Sequence, residues 1–183
     1  VLRLDLKGNE LKMLSELIKN SRRSDRELAK ALGTSQPTAT RIRTKLEKEG
    51  YVKEYTVIPN LGKLGFTILA MTFLKLDIKR SLIRTDLARF REIHYDILSK
   101  NNGSIIFVRP GRGLGYDAVV LSLHSDYASC DNFQTFIRQN MSQSLIDLTT
   151  FLMNLREEKN SLPFSFSLLA NQVLNLQEEE KSR

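Results

Sequence analysis

The sequence predicts an α+β chain: an N-terminal winged helix-turn-helix, then a ferredoxin-like βαββαβ domain, then a C-terminal helix. Three observations predict it. The stretch SDRELAKALGTSQPTATRIRTKLEKEG, Ser24 to Gly50, reads as two short amphipathic helices joined by a tight turn. From Thr67 onward, apolar runs of strand character alternate with helical periodicity in the order β-α-β-β-α-β. Charge is unevenly spread: residues 1–65 hold 14 Lys/Arg against 8 Asp/Glu, while residues 66–183 hold 14 against 13. Nearly all of the net charge of +7 therefore sits with the helix pair, the electrostatic footprint expected of a protein that meets a polyanion.

Residues 6–20 form the first helix, with Leu11, Leu14 and Ile18 on one face and Leu17 beside them. Ser24 caps the second helix, and Glu27 three residues on completes a capping box. Leu28 and Leu32 form its apolar stripe, and Gly33 stands where a helix end favours a left-handed residue. Ser35 caps the third helix, and Pro37 occupies its first turn, where a missing N–H costs nothing. Ala39, Ile42 and Leu46 face inward on this helix. The opposite side carries Pro37, Thr40, Arg41, Thr44 and Lys48, flanked by Gln36 and Arg43, with no acid and no large apolar residue. Such a helix fits the major groove, where Arg or Gln reads base edges and threonine methyls touch thymine. Ser35, Gln36, Pro37, Thr38, Thr40, Arg41, Arg43, Thr44 and Lys48 are the candidate DNA contacts, although a solvated outer face has the same composition.

Residues 51–59 are rich in strand formers (Tyr51, Val52, Tyr55, Val57, Ile58) and close at Pro59, which predicts a small β element, a wing, with Lys53 as a phosphate contact. Arg22 and Arg23 adjoin the motif and are further phosphate candidates. The expected boundaries are residues 1–59 for the DNA-binding domain, 60–66 for a glycine-bearing linker, 67–155 for the second domain and 156–183 for a C-terminal extension.

In the second domain, Thr67–Leu76 reads as a buried strand and Ser81–Lys100 as a helix with Leu87, Phe90, Ile93 and Ile97 at helical spacing. His94 within it has no His or Cys neighbour and reads as structural. SIIFVRP and YDAVVLSLHS form a hairpin joined by a long glycine-rich connection, GRGLG, which lacks the residues of a nucleotide-binding loop. Tyr127–Gln143 is helical, Leu145–Leu155 is the last strand, and Leu168 to Leu176 suggest a final amphipathic helix.

Two His, one Cys and no ligand spacing argue against an enzyme, a metal centre or a bound cofactor. Cys130 reads as a buried small hydrophobe, and a lone cysteine fits a reducing compartment, so a cytoplasmic, nucleoid-associated location is expected. No apolar run is long enough to span a membrane. An RNA-binding sheet would need exposed aromatics, for which Phe73 and Phe107 are the candidates, but the second part of the chain is nearly neutral.

The stretches LDLKGNELKMLSEL and RSDRELAKALGTSQPTATRIRTKLEKEGYVKEYTVIPNLGKLGF, with "LD" before the first helix and the Pro-Asn-Leu-Gly linker, resemble the leucine-responsive/asparagine-regulator (Lrp/AsnC) family of transcription regulators. The resemblance covers roughly a third of the chain and implies a helix-turn-helix bound to double-stranded DNA. It also implies a second domain that forms a homodimer or higher oligomer and often takes small molecules, commonly amino acids, at its interfaces. The family's short Gly/Asp loop maps onto Gly115 and Asp117, with Gly113 and Tyr116 beside them, as effector-binding candidates. Two departures stand out: Arg109-Pro-Gly-Arg-Gly lengthens that loop, and the tail beyond Leu155 exceeds the usual end. The alternatives are a DNA-binding protein whose second domain only dimerises, or an RNA-binding module.

Overall fold

Along the chain run α1 (Gly8–Lys19), α2 (Asp25–Leu32), α3 (Gln36–Lys48), β1 (Ile68–Leu76), β2 (Ser104–Gly113), β3 (Tyr116–His124), α4 (Tyr127–Asn140), β4 (Leu145–Asn154) and α5 (Ser167–Lys181). These belong to a computed structural model that describes residues 6–77, 104–142, 144–156 and 165–181. The expected helix Ser81–Lys100, with His94, lies outside the described residues. The chain divides into two units, Val1–Ile58 together with Pro163–Arg183, and Pro59–Leu162.

The first unit is helical. Leu11, Met13, Leu28, Ala39 and Leu46 are fully buried in one cluster that also takes in Leu17 and Val173. Burying a side chain of leucine size stabilises by roughly 2 kcal/mol. The sequence marks one face of α1, yet Met13 and Ser15 are buried as well. The cause is α5, which packs along α1 and covers what would otherwise be solvated surface. The segment after α3 departs from expectation. Residues 53–60 join no sheet, so the β-rich composition makes no ladder here. A lone extended segment has no partner for its backbone groups, and strand propensity alone does not supply one. Tyr51 and Val52 instead pack against the helical core.

The second unit is a four-stranded antiparallel sheet in the order β2-β3-β1-β4, the arrangement expected of the ferredoxin-like class. Helix α4 covers one face: Phe133, Ile137 and Met141 pack with Leu74, Leu76, Ala118, Val120 and Leu148. Side chains alternate between faces, so Met71, Phe73, Val119 and Leu121 point the other way. There the register sets Phe107, Leu121, Met71 and Phe151 in one row across all four strands. Phe107 and Phe151 are 42% and 63% exposed.

The hairpin corrects the expectation of a long glycine-rich connection. Strand β2 runs on through Arg109-Pro-Gly-Arg to Gly113, which pairs with Tyr116. Only Leu114 and Gly115 make the turn, both left-handed with φ of 53° and 81°, the two-residue type that matches strand twist. Pro110 ends an apolar run in sequence but does not end an edge strand, where its missing N–H is tolerated. A register shift between Pro110 and Gly113 absorbs the irregularity.

His124 is fully buried beneath α4, its Nε2 2.8 Å from Ser122 Oγ and its Nδ1 3.3 Å from Ser129 Oγ. Burial holds its pKa below the usual histidine value against a smaller opposing pull from Asp126. Cys130 is buried and its thiol pushed up by that burial. No helix among the described residues is long and apolar enough to cross a membrane.

Candidate nucleic-acid interface

Local capping places α2 and α3. The Ser24 N–H donates to Glu27 Oε2 at 2.7 Å and Ser24 Oγ accepts from the Glu27 N–H at 3.3 Å, completing the capping box. The Ser24 hydroxyl, which donates to Glu27 Oε2 at 2.7 Å, and then the Ser24 N–H hold the Glu27 carboxyl below its usual range. Gly33 is left-handed, φ 68°, and Thr34 N–H donates to Ala29 O at 2.9 Å, which closes α2 and turns the chain into α3. Ser35 Oγ then accepts from the Thr38 N–H at 3.4 Å and lies 2.9 Å from Thr38 Oγ1, with Pro37 in the first turn.

With Ala39, Ile42 and Leu46 buried, the outer face of α3 presents Gln36, Pro37, Thr40, Arg41 and Lys48 to solvent. Thr38 and Thr44 are half-buried, and Ser35 is exposed at the cap. The basic residues fall into two groups. Arg41, Lys48, Lys53 and Arg22 are exposed and make no ion pair among the described residues. Arg43 and Arg23 are engaged within the unit. Arg43 Nη2 donates to Arg23 O at 2.7 Å and Nη1 lies 3.1 Å from Asp25 Oδ1, while Arg23 pairs with Glu16. Asp25 Oδ2 also accepts from Thr40 Oγ1 at 2.6 Å, and that hydroxyl lies 3.1 Å from Gln36 O. Arg43 thus braces α3 against the start of α2, and the Thr40 hydroxyl is held in the same network.

A second brace is Lys45, whose Nζ lies 2.6 Å from Glu10 Oε1 on α1. Burial pushes the Glu10 carboxyl up, but the Lys45 hydrogen bond, a bond from the Lys7 backbone and the nearby positive charge outweigh it, and the net shift is down. Lys45 is raised in turn, chiefly by its bond to Glu10. Tyr55 ties the extended segment to α3 by donating to Glu47 Oε1 at 2.7 Å; burial and then Glu47 push its phenol up to about 12. Asp25, Glu10 and Glu47 are absent from the sequence-based site. Their partners lie 8 to 35 residues away, so no local spacing announces them.

The four effector candidates sit at the hairpin end. Gly113 and Gly115 form the pairing and turn described above. Tyr116 Oη lies 2.7 Å from Thr149 Oγ1 and 3.1 Å from Asp147 Oδ2, and its ring meets Phe73 at 5.8 Å. Asp117 Oδ2 accepts from the Leu76 N–H at 2.9 Å. Among the described residues no group of three or more His, Cys, Asp or Glu is placed to hold a metal ion.

Residues 6–53 match the family model for winged helix-turn-helix DNA-binding domains. An uncharacterized HTH-type transcriptional regulator of Pyrococcus furiosus is 33% identical over 88 residues, 48% of this chain and 57% of that protein. The leucine-responsive regulatory protein of Rhizobium meliloti is 34% identical over 70 residues, 38% of this chain and 45% of that protein. The chain thus spans about half the length of these curated relatives. Among solved structures, an AsnC family transcriptional regulator from Agrobacterium tumefaciens superposes with a TM-score of 0.68 at 17% identity, over 87% of this chain and 95% of that one. A transcriptional regulator from Neisseria meningitidis, solved as a complex with L-Met, superposes with a TM-score of 0.66 at 19% identity, over 90% and 99%. This chain therefore carries a winged helix-turn-helix DNA-binding unit at residues 6–53, is similar over part of its length to HTH-type and leucine-responsive regulators, and shares the fold of AsnC family regulators.

Proposed function

We propose that the chain binds duplex DNA sequence-specifically as a homodimer or higher oligomer, with α3 in the major groove, and so regulates transcription. The observation that carries this is the exposed, unneutralised Arg41 on a face whose neighbours Arg43 and Lys45 are tied down. Arg41 then reads a base, with Ser35, Gln36, Pro37, Thr38, Thr40 and Thr44 around it, while Lys48, Lys53 and Arg22 meet phosphates. Arg43 and Arg23 serve as braces in this reading. The open sheet face supports self-association, because a row of four apolar side chains across the sheet loses its solvation cost against a second copy.

A response to a small metabolite such as an amino acid is the further part of the reading, supported by the L-Met complex of a protein with this architecture. A purely dimerising second domain has its own support: Tyr116 and Asp117 already have partners within the chain. One experiment tests both. Sequences bound from a random duplex pool are selected with and without an amino-acid mixture. A defined half-site motif supports specific binding; no enrichment, or displacement by single-stranded RNA, overturns it. A shift in enrichment with amino acids supports sensing, and its absence favours the dimerising role.

A further inference from the structure

Helix α3 carries three threonines, Thr38, Thr40 and Thr44, in different surroundings. Thr38 and Thr44 are half-buried, and Thr38 Oγ1 lies 2.9 Å from the capping Ser35 Oγ. Thr40 is exposed, one turn on from Gln36 and next to Arg41, in the N-terminal half of the helix. A recognition helix meets base edges with residues of that half. Yet the Thr40 hydroxyl is not free for the groove. Its Oγ1 lies 2.6 Å from Asp25 Oδ2 and 3.1 Å from Gln36 O.

A hydroxyl has one proton to donate. Here two acceptors share it, and the nearer is a carboxylate, the stronger kind of partner. No donor is left for a base acceptor or a phosphate oxygen. The bond to Gln36 O, four residues back, also selects the staggered χ1 that sets Oγ1 against the preceding turn. Tetrahedral geometry at Cβ then sends the methyl away from both acceptors, so the part of this exposed residue left to meet a partner is apolar. Asp25 is itself held, with its other oxygen 3.1 Å from Arg43 Nη1. That guanidinium offsets the negative charge which the carboxylate would otherwise set beside a polyanion.

We infer that Thr40 reads the 5-methyl group of a thymine through its own methyl, and that Asp25 is the positioning residue that turns the hydroxyl away. In the major groove that methyl marks thymine and is met by apolar contact, a threonine methyl included. This assignment rests on the DNA-binding reading above and deepens it. One position of each half-site is a thymine, recognised by its methyl and not by a hydrogen bond to its O4. Pro37, three residues before Thr40, is the other exposed apolar group on this face and the rival reader.

The test uses the full chain and a duplex taken from the random-pool selection. Each thymine in turn is replaced by deoxyuridine, which keeps the base pairing and removes only the methyl, and affinity is read by fluorescence anisotropy. Wild type loses about fourfold at one thymine of the half-site, the effect of one methyl-sized group left unburied. Thr40→Ser keeps the hydroxyl and drops the methyl. It binds the thymine duplex about fourfold more weakly than wild type and loses nothing further with deoxyuridine at that position, the coupling a double-mutant cycle detects. Asp25→Ala, with its fold checked by circular dichroism, frees the hydroxyl and brings the thymine-to-deoxyuridine ratio below about twofold. Asp25→Asn, whose amide oxygen still accepts from Thr40, restores that ratio, which a loss of stability alone would not move. A half-site without an A·T pair, or one whose thymines all tolerate deoxyuridine, overturns the inference. So does a Thr40→Ser chain with wild-type sensitivity, which hands the methyl to Pro37 or another side chain. An Asp25→Ala chain with the wild-type ratio strikes out Asp25 as the positioning residue; should that chain not fold, the Thr40→Ser cycle still decides whether the methyl is read. A chain that selects no duplex refutes the DNA-binding reading, whereas one that selects a duplex but ignores thymine methyls refutes this inference alone.

Discussion

Arg41 and Arg43 lie two residues apart on one helix, the first exposed and without an ion pair among the described residues and the second held by Arg23 and Asp25, and the proposed DNA-binding mode gives them opposite roles, which makes the pair a sharp test. Arg43→Ala removes a charge-assisted bond to Arg23 O at 2.7 Å and an ion pair to Asp25 at 3.1 Å. The first contributes about 1.5–3 kcal/mol. The second involves side chains 23% and 21% exposed and adds less, about 0.5 kcal/mol after solvent screening. The Arg43 Nε is buried without a partner, and losing that cost returns part of the sum. A net destabilisation of about 2 kcal/mol follows, lowering the melting midpoint of a unit this size by roughly 10 °C. Arg41→Ala removes no internal contact, so its melting curve should overlay the wild type. It should instead cost about 1–3 kcal/mol of affinity for a selected duplex and relax preference at one base pair. Circular dichroism melts and fluorescence anisotropy on the same preparations separate the two. If Arg43→Ala melts as wild type yet loses base preference, while Arg41→Ala binds every duplex normally, the assignment of the two guanidinium groups is reversed and the groove-facing side of α3 has been misplaced.

Gly33→Ala meets no neighbour within 4 Å, so its cost is conformational alone, about 1–2 kcal/mol from the left-handed φ of 68°, readable by urea denaturation. Leu114→Asn relieves a left-handed leucine that is 84% exposed and should stabilise the second unit by about 0.5–1 kcal/mol; an unchanged midpoint would count against the turn geometry. His124 has a lowered pKa in the fold, so the unfolded chain takes up its proton first as pH falls. Stability is fully present above the ordinary histidine pKa of about 6.5 and falls below it, by at most about 1.4 kcal/mol per pH unit, until the folded pKa is reached. A His124→Gln chain should lose that component of the pH profile. Phe151→Glu, on the exposed sheet row, should shift sedimentation toward monomer without changing the α-helical signal, and an unaltered oligomer would move the interface elsewhere.

The parts legible in the sequence are those written locally. Ser24 with Glu27, Gly33, and Ser35 with Pro37 each act within a few residues, so α2, the turn and α3 could be read to within a residue or two. The succession of the four strands along the chain followed from their apolar runs and their length. The parts not legible depend on distant partners. Tyr55 and Val57 have strand propensity, but a ladder needs a second strand, and propensity does not say whether one is near. The Pro110 and Gly111 pair looks like a loop unless the strand is known to lie at a sheet edge. Nothing at Arg41 or Arg43 distinguishes the free guanidinium from the held one, because the difference lies in Asp25 and a carbonyl at Arg23. The amphipathic pattern of α5 shows that it covers something, but α1 as the surface covered was not written in it.

The placement of α5 has a consequence for how the protein is made. Val173 completes a core otherwise built from residues 6–46, with more than a hundred residues in between. During synthesis the helices that would meet DNA emerge early yet lack one wall until α5 has left the ribosome, by which time the sheet has had its chance to form. Maturation of the DNA-contacting half is thereby timed by translation of the chain that follows it.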